Sequence, residues 1–553
     1  MKYPIFEIVY SKENVKTRSQ RPENSDYKIE YELTDSVIKA KVTAKREIRL
    51  FDFSMSFEQK YEEDVKIFSN GYQSWSATRE YSREDKTPSL NPVLKGKLLD
   101  ISDLSGDHRF VEHPKRSGEF YSHTYTYVRS GEKLNFIGSL CEKTGFTVFY
   151  HDLNMNCFKI DKDVEGKTLK DGDSYELLDI VMFEGGYDEV FDKYFGKMEL
   201  PKPKIDHLSG YTSWYNYFQK INEEIILRDL DALDEISESV SIFQVDDGYE
   251  TYVGDWLDEN PEKFPNGMKY IADKVHEKGY LAGLWLAPFN VEKDSRIYKE
   301  HPEWLVCDEK GKAVYSVLNW SGTYTLDIYN EQARQYMKTC LSTVIKDWGY
   351  DMVKLDFLYS QCILPRNGKT RGEIMDDAMK FLRECCEDKI ILGCGVPLGS
   401  SFGYVDACRI GCDVDLKYGD KYFNKLHLSK EIPRTQNAIV NTIFRRHLDG
   451  RVFCNDPDVL FFRDTNLDFN DAQKVLLATI NHLFGNVLFV SDNVSEYRPE
   501  FLQLIKKVFI KSDFKIISAE FVKKDVIQIV MSKNSKEKLL RFNVKTGVSN
   551  LKF

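Results

Sequence analysis

The feature that most limits what this chain can fold into lies between residues 206 and 494, where apolar runs of strand length alternate with amphipathic stretches. The runs are LSGYTSW (208–214), SIFQVDD (241–247), YLAGLWLAPF (280–289), MVKLDF (352–357), KIILGCGVP (389–397), ACRIGCD (407–413), RVFCNDPD (451–458) and NVLFVSDN (486–493). Between them stand helix-like stretches such as NEEIILRDLDALDEIS, MKYIADKVHEKG and NEQARQYMKTCLSTVIKDWG, the last ending at Gly349, where a helix C′ residue belongs. This alternation is the pattern of βα units wrapped on a parallel sheet, and eight of them predict a (β/α)8 TIM barrel. The connection from 407 to 451 is long enough to carry a helix of its own.

The flanks read differently. Up to residue 200, segments such as SVIKAKVTAKREIRLFDFSMSFEQKYE and FYSHTYTYVRSGEKLNFIGSLCEKTGFTVFYHDL alternate apolar and polar residues between short turns, which predicts an antiparallel β-sandwich. PKPKI, at 201–205, breaks the pattern and marks a boundary. After residue 495 come one helix, RPEFLQLIKKVFI, and the alternating runs FVKKDVIQIVMSK and EKLLRFNVKTGVSNLKF. The expected organisation is therefore multidomain, α/β plus β: a sandwich over 1–200, a barrel over 206–494 and a small antiparallel β domain over 495–553.

Composition removes several functions. The chain carries 77 Lys and Arg against 88 Asp and Glu, with no dense basic block, so neither a nucleic acid nor a membrane surface is an expected partner. The longest stretch without a charged residue, Val475 to Ser491, contains Asn481, His482, Gly485 and Asn486 and reads as a core helix running into a strand. The opening MKYPIFEIVYSKENVK has too short an apolar run for a secretion signal. Eleven cysteines without a CxxC pair read as buried free thiols in a reducing compartment, so a cytoplasmic location is expected. Among ten histidines there is no HExxH or HxH, so no metal and no cofactor is expected. A homo-oligomer is compatible with the sequence, which specifies no oligomeric state.

Four of the eight runs end in aspartate: Asp246 with Asp247, Asp356, Asp413, and Asp456 with Asp458. A lone Asp after a strand is most simply a helix cap or an Asx turn. Recurrence at the C-terminal ends of barrel strands, where such folds carry their active sites, shifts the balance toward chemistry. Lys354 and Asp356 are two apart on a strand and share a face, so the ammonium can keep that carboxylate ionised, as a nucleophile must be. Adjacent Asp246 and Asp247 can accept hydrogen bonds from vicinal hydroxyls. Arg409 and Asp413 are four apart with Gly411 between them and can line one pocket. Trp75, Trp214, Tyr215, Trp256 and Trp285 lie in these or neighbouring segments. Any one of them could be a core residue, but indole faces beside carboxylates suit the C–H patches and hydroxyls of a sugar.

With these residues located, the chain resembles glycoside hydrolase family 36, the retaining α-galactosidases, in a compact bacterial form. The strings that carry the resemblance are NGYQSWS, SWYNYF, FQVDDGYE, GDWL, GLWLAPF, HPEW, KLDFLY, LGCGVPL, CRIGCD and NDPD, in that order. It implies an N-terminal β-supersandwich, a TIM barrel and a C-terminal β domain. It implies Asp356 as nucleophile and Asp413 as general acid/base, although strand alternation alone would let Asp413 or Asp415 reach the same face. It further implies Asp246, Asp247, Lys354, Arg409, Trp75, Trp214, Trp285 and Cys394 as substrate-binding residues. The glycine-rich string of larger members is replaced by LGCGVPLGSSFGYVDACR. The implied activity is exo-acting hydrolysis of terminal α-galactose from oligosaccharides through a covalent glycosyl-enzyme. An α-N-acetylgalactosaminidase or a galactosyl-transferring enzyme on the same scaffold, and a non-catalytic carbohydrate-binding protein, are the alternatives.

Overall fold

The computed structural model describes residues 4–87, 111, 113–317, 319–419 and 434–551. It divides into two compact units, one of Met1–Leu200 with Gln361–Phe381 and Pro397–Phe402, the other of Pro201–Ser360, Leu382–Val396 and Gly403–Phe553.

The first unit is built on two seven-stranded antiparallel sheets. Strict alternation makes their inner faces: in Val37–Ala44, Ile38, Ala40, Val42 and Ala44 are buried while Lys39 and Lys41 are exposed. The long strand Ile48–Glu58 buries Phe53, Met55 and Phe57 in the same core. His151 sits inside this sandwich with Nδ1 3.0 Å from the Tyr61 hydroxyl and Nε2 3.1 Å from that of Thr126. Because Thr126 donates its proton to the Phe68 carbonyl at 2.7 Å, it can only accept from the ring, which selects the neutral Nε2–H tautomer. Burial pushes the His151 pKa down from 6.5 to about 3. In that interval the unfolded chain binds a proton that the folded one excludes, so stability falls as pH falls, by on the order of 4 kcal/mol at the acid end. His151→Gln is expected to flatten the drop in melting temperature between pH 6.5 and 3, as followed by circular dichroism. An unchanged slope would assign the acid sensitivity to other groups.

In the second unit the eight apolar runs become eight staves of one parallel sheet: Leu208–Thr212, Ile242–Val245, Leu281–Leu286, Met352–Leu355, Ile390–Gly393, Ala407–Arg409, the segment 454–460 and Val487–Val490. The seventh stave is broken into Cys454–Asp456, which pairs with Ala407–Arg409, and Val459–Leu460, which pairs with Val487–Val490. Pro457, which has no N–H to donate, and Asp458, at a φ of 76°, make the break, and the sheet closes on itself through this one segment. Gly283 leaves room at the barrel centre, since a Cβ there would lie 2.9 Å from both Gln244 and Met352. The helix beginning at Glu331 passes through a π turn and ends at Gly349, whose φ of 85° is the left-handed conformation expected of C′. The helix in the long connection is Thr435–Phe444. The charge-free stretch forms the end of helix Asp471–Phe484 and the strand Val487–Val490.

Two features go beyond the periodicity. A three-stranded antiparallel sheet, Asn290–Glu292, Tyr315–Val317 and Thr323–Thr325, is inserted after the third stave. The sixth stave stops at Arg409, so Asp413 stands on a loop and not on the strand. After helix Pro499–Val508 the chain ends in a three-stranded antiparallel sheet of Lys515–Lys523, Val526–Lys533 and Lys536–Asn543. Among the described residues no helix is long and apolar enough to cross a membrane, and the eleven cysteines are all free.

Candidate active site

The C-terminal ends of the second and fourth staves bring Asp246 and Lys354 together, with Lys354 Nζ donating to Asp246 Oδ2 at 2.7 Å. Burial pushes the Asp246 carboxyl up, but Lys354 and the Gln244 amide, 3.0 Å away, hold it below the usual carboxylate range. The Asp246 N–H donates to Ser213 Oγ at 2.9 Å, fixing the strand end. Breaking such a buried pair on one side typically costs about 3–5 kcal/mol, so the pair is a rigid floor for the site.

Asp356 follows Leu355 directly and shares Lys354's face, as a period of two requires. Its two oxygens are separately anchored: Trp285 Nε1 donates to Oδ2 at 3.1 Å and the Phe357 N–H donates to Oδ1 at 2.8 Å. Phe357 has a φ of 54°, a left-handed conformation uncommon for an aromatic residue and typical of functional sites. Burial raises the Asp356 pKa; the Lys354 charge and hydrogen bonds from Cys394 and Trp285 oppose the rise, and the Asp413 charge adds to it. The carboxylate is thus buried, oriented and close enough to Asp413 to feel its charge.

That second acid is held by one guanidinium. Arg409 Nη1 donates to Asp413 Oδ1 at 2.9 Å, Nε donates to Asp456 Oδ2 at 3.0 Å, and Nη2 lies 2.9 Å from Asp458 Oδ1. Arg409 is buried, whereas the Asp413 side chain keeps 39% of its surface exposed. It opens on a cleft of about 680 Å³ lined by Trp214, Tyr215, Phe218, Asp415 and Asp468, among others. Asp415 turns to Thr435, its N–H donating to Thr435 Oγ1 at 3.2 Å.

Asp247 faces a different set of partners. Trp320 Nε1 donates to its Oδ2 at 2.9 Å and Gln219 Nε2 reaches both oxygens at 3.1–3.2 Å. Burial raises the pKa of Asp247, and burial together with the Asp247 charge pushes Glu250 beside it well above the usual carboxylate range. Gly248, at a φ of 121°, makes this turn possible, because a Cβ there would meet the Gln219 backbone at 2.8 Å. Trp320, itself at a φ of 59°, packs 6.0 Å from Trp285, which packs 5.7 Å from Trp256.

Of the residues singled out in the sequence, Asp246, Lys354, Asp356, Cys394, Trp285, Arg409 and Asp413 form one connected network, Asp247 adjoins it through Asp246, and Trp214 lines the cleft beside Asp413. Trp75 belongs to the other unit, half-buried in the turn after Gln73. Trp320, Glu250, Gln219 and Tyr215 were not assigned to the site from sequence. Trp320 stands outside any alternating run and Glu250 lies in a turn, so neither carries a periodic signal; Tyr215 is marked in the sequence only as an aromatic next to Trp214. Among the described residues no group of His, Cys, Asp and Glu is placed to hold a metal ion; Lys354 and Arg409 face the carboxylates instead.

Residues 212–371, which include the ends of the second and fourth staves, match the Melibiase family. The A type blood α-D-galactosamine galactosaminidase of Flavonifractor plautii is 32% identical over 160 residues, 27% of this chain and 15% of that protein. Alpha-galactosidase 1 of Pediococcus pentosaceus is 26% identical over 351 residues, 55% of this chain and 46% of that one. The chain thus spans less than half the length of these curated relatives. Among solved structures, the α-galactosidase TtGalA of Thermus thermophilus, in complex with p-nitrophenyl α-D-galactopyranoside, superposes with a TM-score of 0.71 at 23% identity, covering 92% of this chain and 98% of that one. The GH36 α-galactosidase AgaA of Geobacillus stearothermophilus superposes with a TM-score of 0.61 at 14% identity, covering 91% and 70%. The sequence match falls on the staves that carry Asp246 and Asp356, and the fold shared with these α-galactosidases runs along nearly the whole chain.

Proposed function

We propose that this protein is an exo-acting α-galactosidase that releases terminal α-linked galactose from oligosaccharides by a retaining double displacement. The observation that carries this reading is the pairing of Asp356, buried and clamped at both oxygens, with the cleft-facing Asp413 on Arg409. Asp356 attacks the anomeric carbon while Asp413 gives its proton to the departing glycosidic oxygen; a covalent galactosyl-enzyme results. Water then enters, Asp413 takes its proton, and the C1–Oδ bond to Asp356 breaks, restoring both acids. Asp246, fixed by Lys354, and Asp247, fixed by Trp320 and Gln219, present carboxylate oxygens to sugar hydroxyls. The indole of Trp285 serves twice, as a donor to Asp356 and as an apolar wall. Complexes of α-galactosidases of the same fold with stachyose and with raffinose support an oligosaccharide as substrate. The eleven free cysteines support action in a reducing compartment, on sugar already taken into the cell.

The test is a panel of nitrophenyl α-galactoside, nitrophenyl α-N-acetylgalactosaminide and raffinose, with the first-formed anomer followed by proton NMR. α-Galactose as the first product, with the acetamido sugar at least about tenfold slower in kcat/KM, is expected. First release of the β-anomer would overturn the retaining mechanism, and preference for the acetamido sugar would overturn the substrate.

A further inference from the structure

The NDPD segment supplies two carboxylates for which the displacement itself has no use. Asp458 is the more closely held. It is buried, with Oδ1 2.9 Å from Arg409 Nη2, while Oδ2 accepts the Val414 N–H at 2.8 Å and the Tyr215 hydroxyl. Its own N–H donates to Asp456 Oδ1 at 2.8 Å, and its carbonyl accepts from Asn481 Nδ2 at 3.2 Å. Its φ of 76° is an outlier that a chain keeps only where the surroundings over-determine it. These contacts converge on Asp413. Arg409 Nη1 is bonded to the Asp413 carboxylate, and Val414 is the next residue in the chain, so Asp458 grips Asp413 through a side chain and through the backbone at once.

We propose that Asp458 is a positioning residue for the general acid, holding the Asp413 carboxyl at the glycosidic oxygen through Arg409 and the Val414 N–H, with Tyr215 locking Asp458 in turn. The proposal rests on the reading of Asp413 as the acid. Its physical content is that a proton donor displaced by as little as 1 Å loses most of its effect, whereas the nucleophile, anchored separately by Trp285 and Phe357, is untouched. Asparagine at 458 keeps the shape but turns an NH2 group toward donors, either Val414 and Tyr215 or Arg409, so one grip is lost whichever way the amide faces.

The experiment compares two substrates in the full chain: raffinose, whose leaving group needs a proton, and 2,4-dinitrophenyl α-galactoside, whose leaving group does not. Asp458→Asn is expected to lower kcat/KM on raffinose by about 100-fold, and to lower kcat/KM on the dinitrophenyl substrate, which reports only the first step, by less than about threefold. Tyr215→Phe, which removes only the hydroxyl, should show the same split at about tenfold. It carries the test alone if Asp458→Asn does not fold by circular dichroism. Equal losses on both substrates would reduce Asp458 to a structural residue and overturn the proposal. Asp413→Ala is run beside them: if it shows no split, the assignment of Asp413 fails; if it splits and the other two do not, only the positioning role fails.

Discussion

Asp356→Ala is expected to lower kcat on every α-galactoside by at least about four orders of magnitude, because in the proposed mechanism it removes the group that forms the covalent bond and not merely one that assists it. The fold should survive. Lys354, the cation beside the lost carboxylate, keeps its 2.7 Å bond to Asp246, so no buried charge is left without a partner. The variant leaves a space of carboxylate size below the anomeric carbon, and added azide should enter it and give β-galactosyl azide, inverted relative to the substrate. In the wild type, a 2-fluoro sugar with a good leaving group should accumulate on Asp356, read by peptide mass spectrometry. A label on another residue, or near-normal turnover in Asp356→Ala, would remove the nucleophile assignment.

Asp413→Ala carries the second large effect, and its signature is selectivity. Proton donation by a placed side chain contributes about 10²–10⁴-fold, so losses of that size are expected on raffinose while dinitrophenyl galactoside is hydrolysed at a first-step rate near wild type. With that substrate the second step, in which the proposed mechanism has Asp413 activate water, should become limiting, and the galactosyl-enzyme should accumulate as a burst. Arg409 retains Asp456 and Asp458 in this variant and stays neutralised. Asp415 is the internal comparison, since its backbone is tied to Thr435. If Asp415→Ala shows the leaving-group split and Asp413→Ala does not, the two roles must be exchanged.

The parts of this site that are legible in the sequence and those that are not differ by a physical criterion. Lys354 and Asp356 lie two residues apart on a stave, and the side-chain alternation of a strand is enough to put them on one face. Asp413 was reached by motif, but the extended strand drawn through it is absent: the stave ends at Arg409, and the loop beyond is held by Arg409, by Asp458 through Val414, and by the Arg434 N–H donating to the Asp413 carbonyl at 2.8 Å. Asp458 was seen only as one of several strand-end acids. Its tie to Tyr215 crosses 243 positions, and no local pattern encodes a bond of that span. Trp320 and Glu250 were missed for the same reason: each is defined by what it meets, Asp247, and not by its neighbours in the chain.

The amino-acid sequence by itself determined the sandwich, the eight staves and which ends of them carry acid, because hydrophobic period, turn residues and strand alternation are properties of short stretches of chain. Only the tertiary structure decided that one seventh stave, bent at Pro457 and Asp458, closes the barrel, and that a single guanidinium gathers Asp413, Asp456 and Asp458. Those outcomes depend on distances between residues far apart in the chain, and such distances are set by how the whole barrel packs.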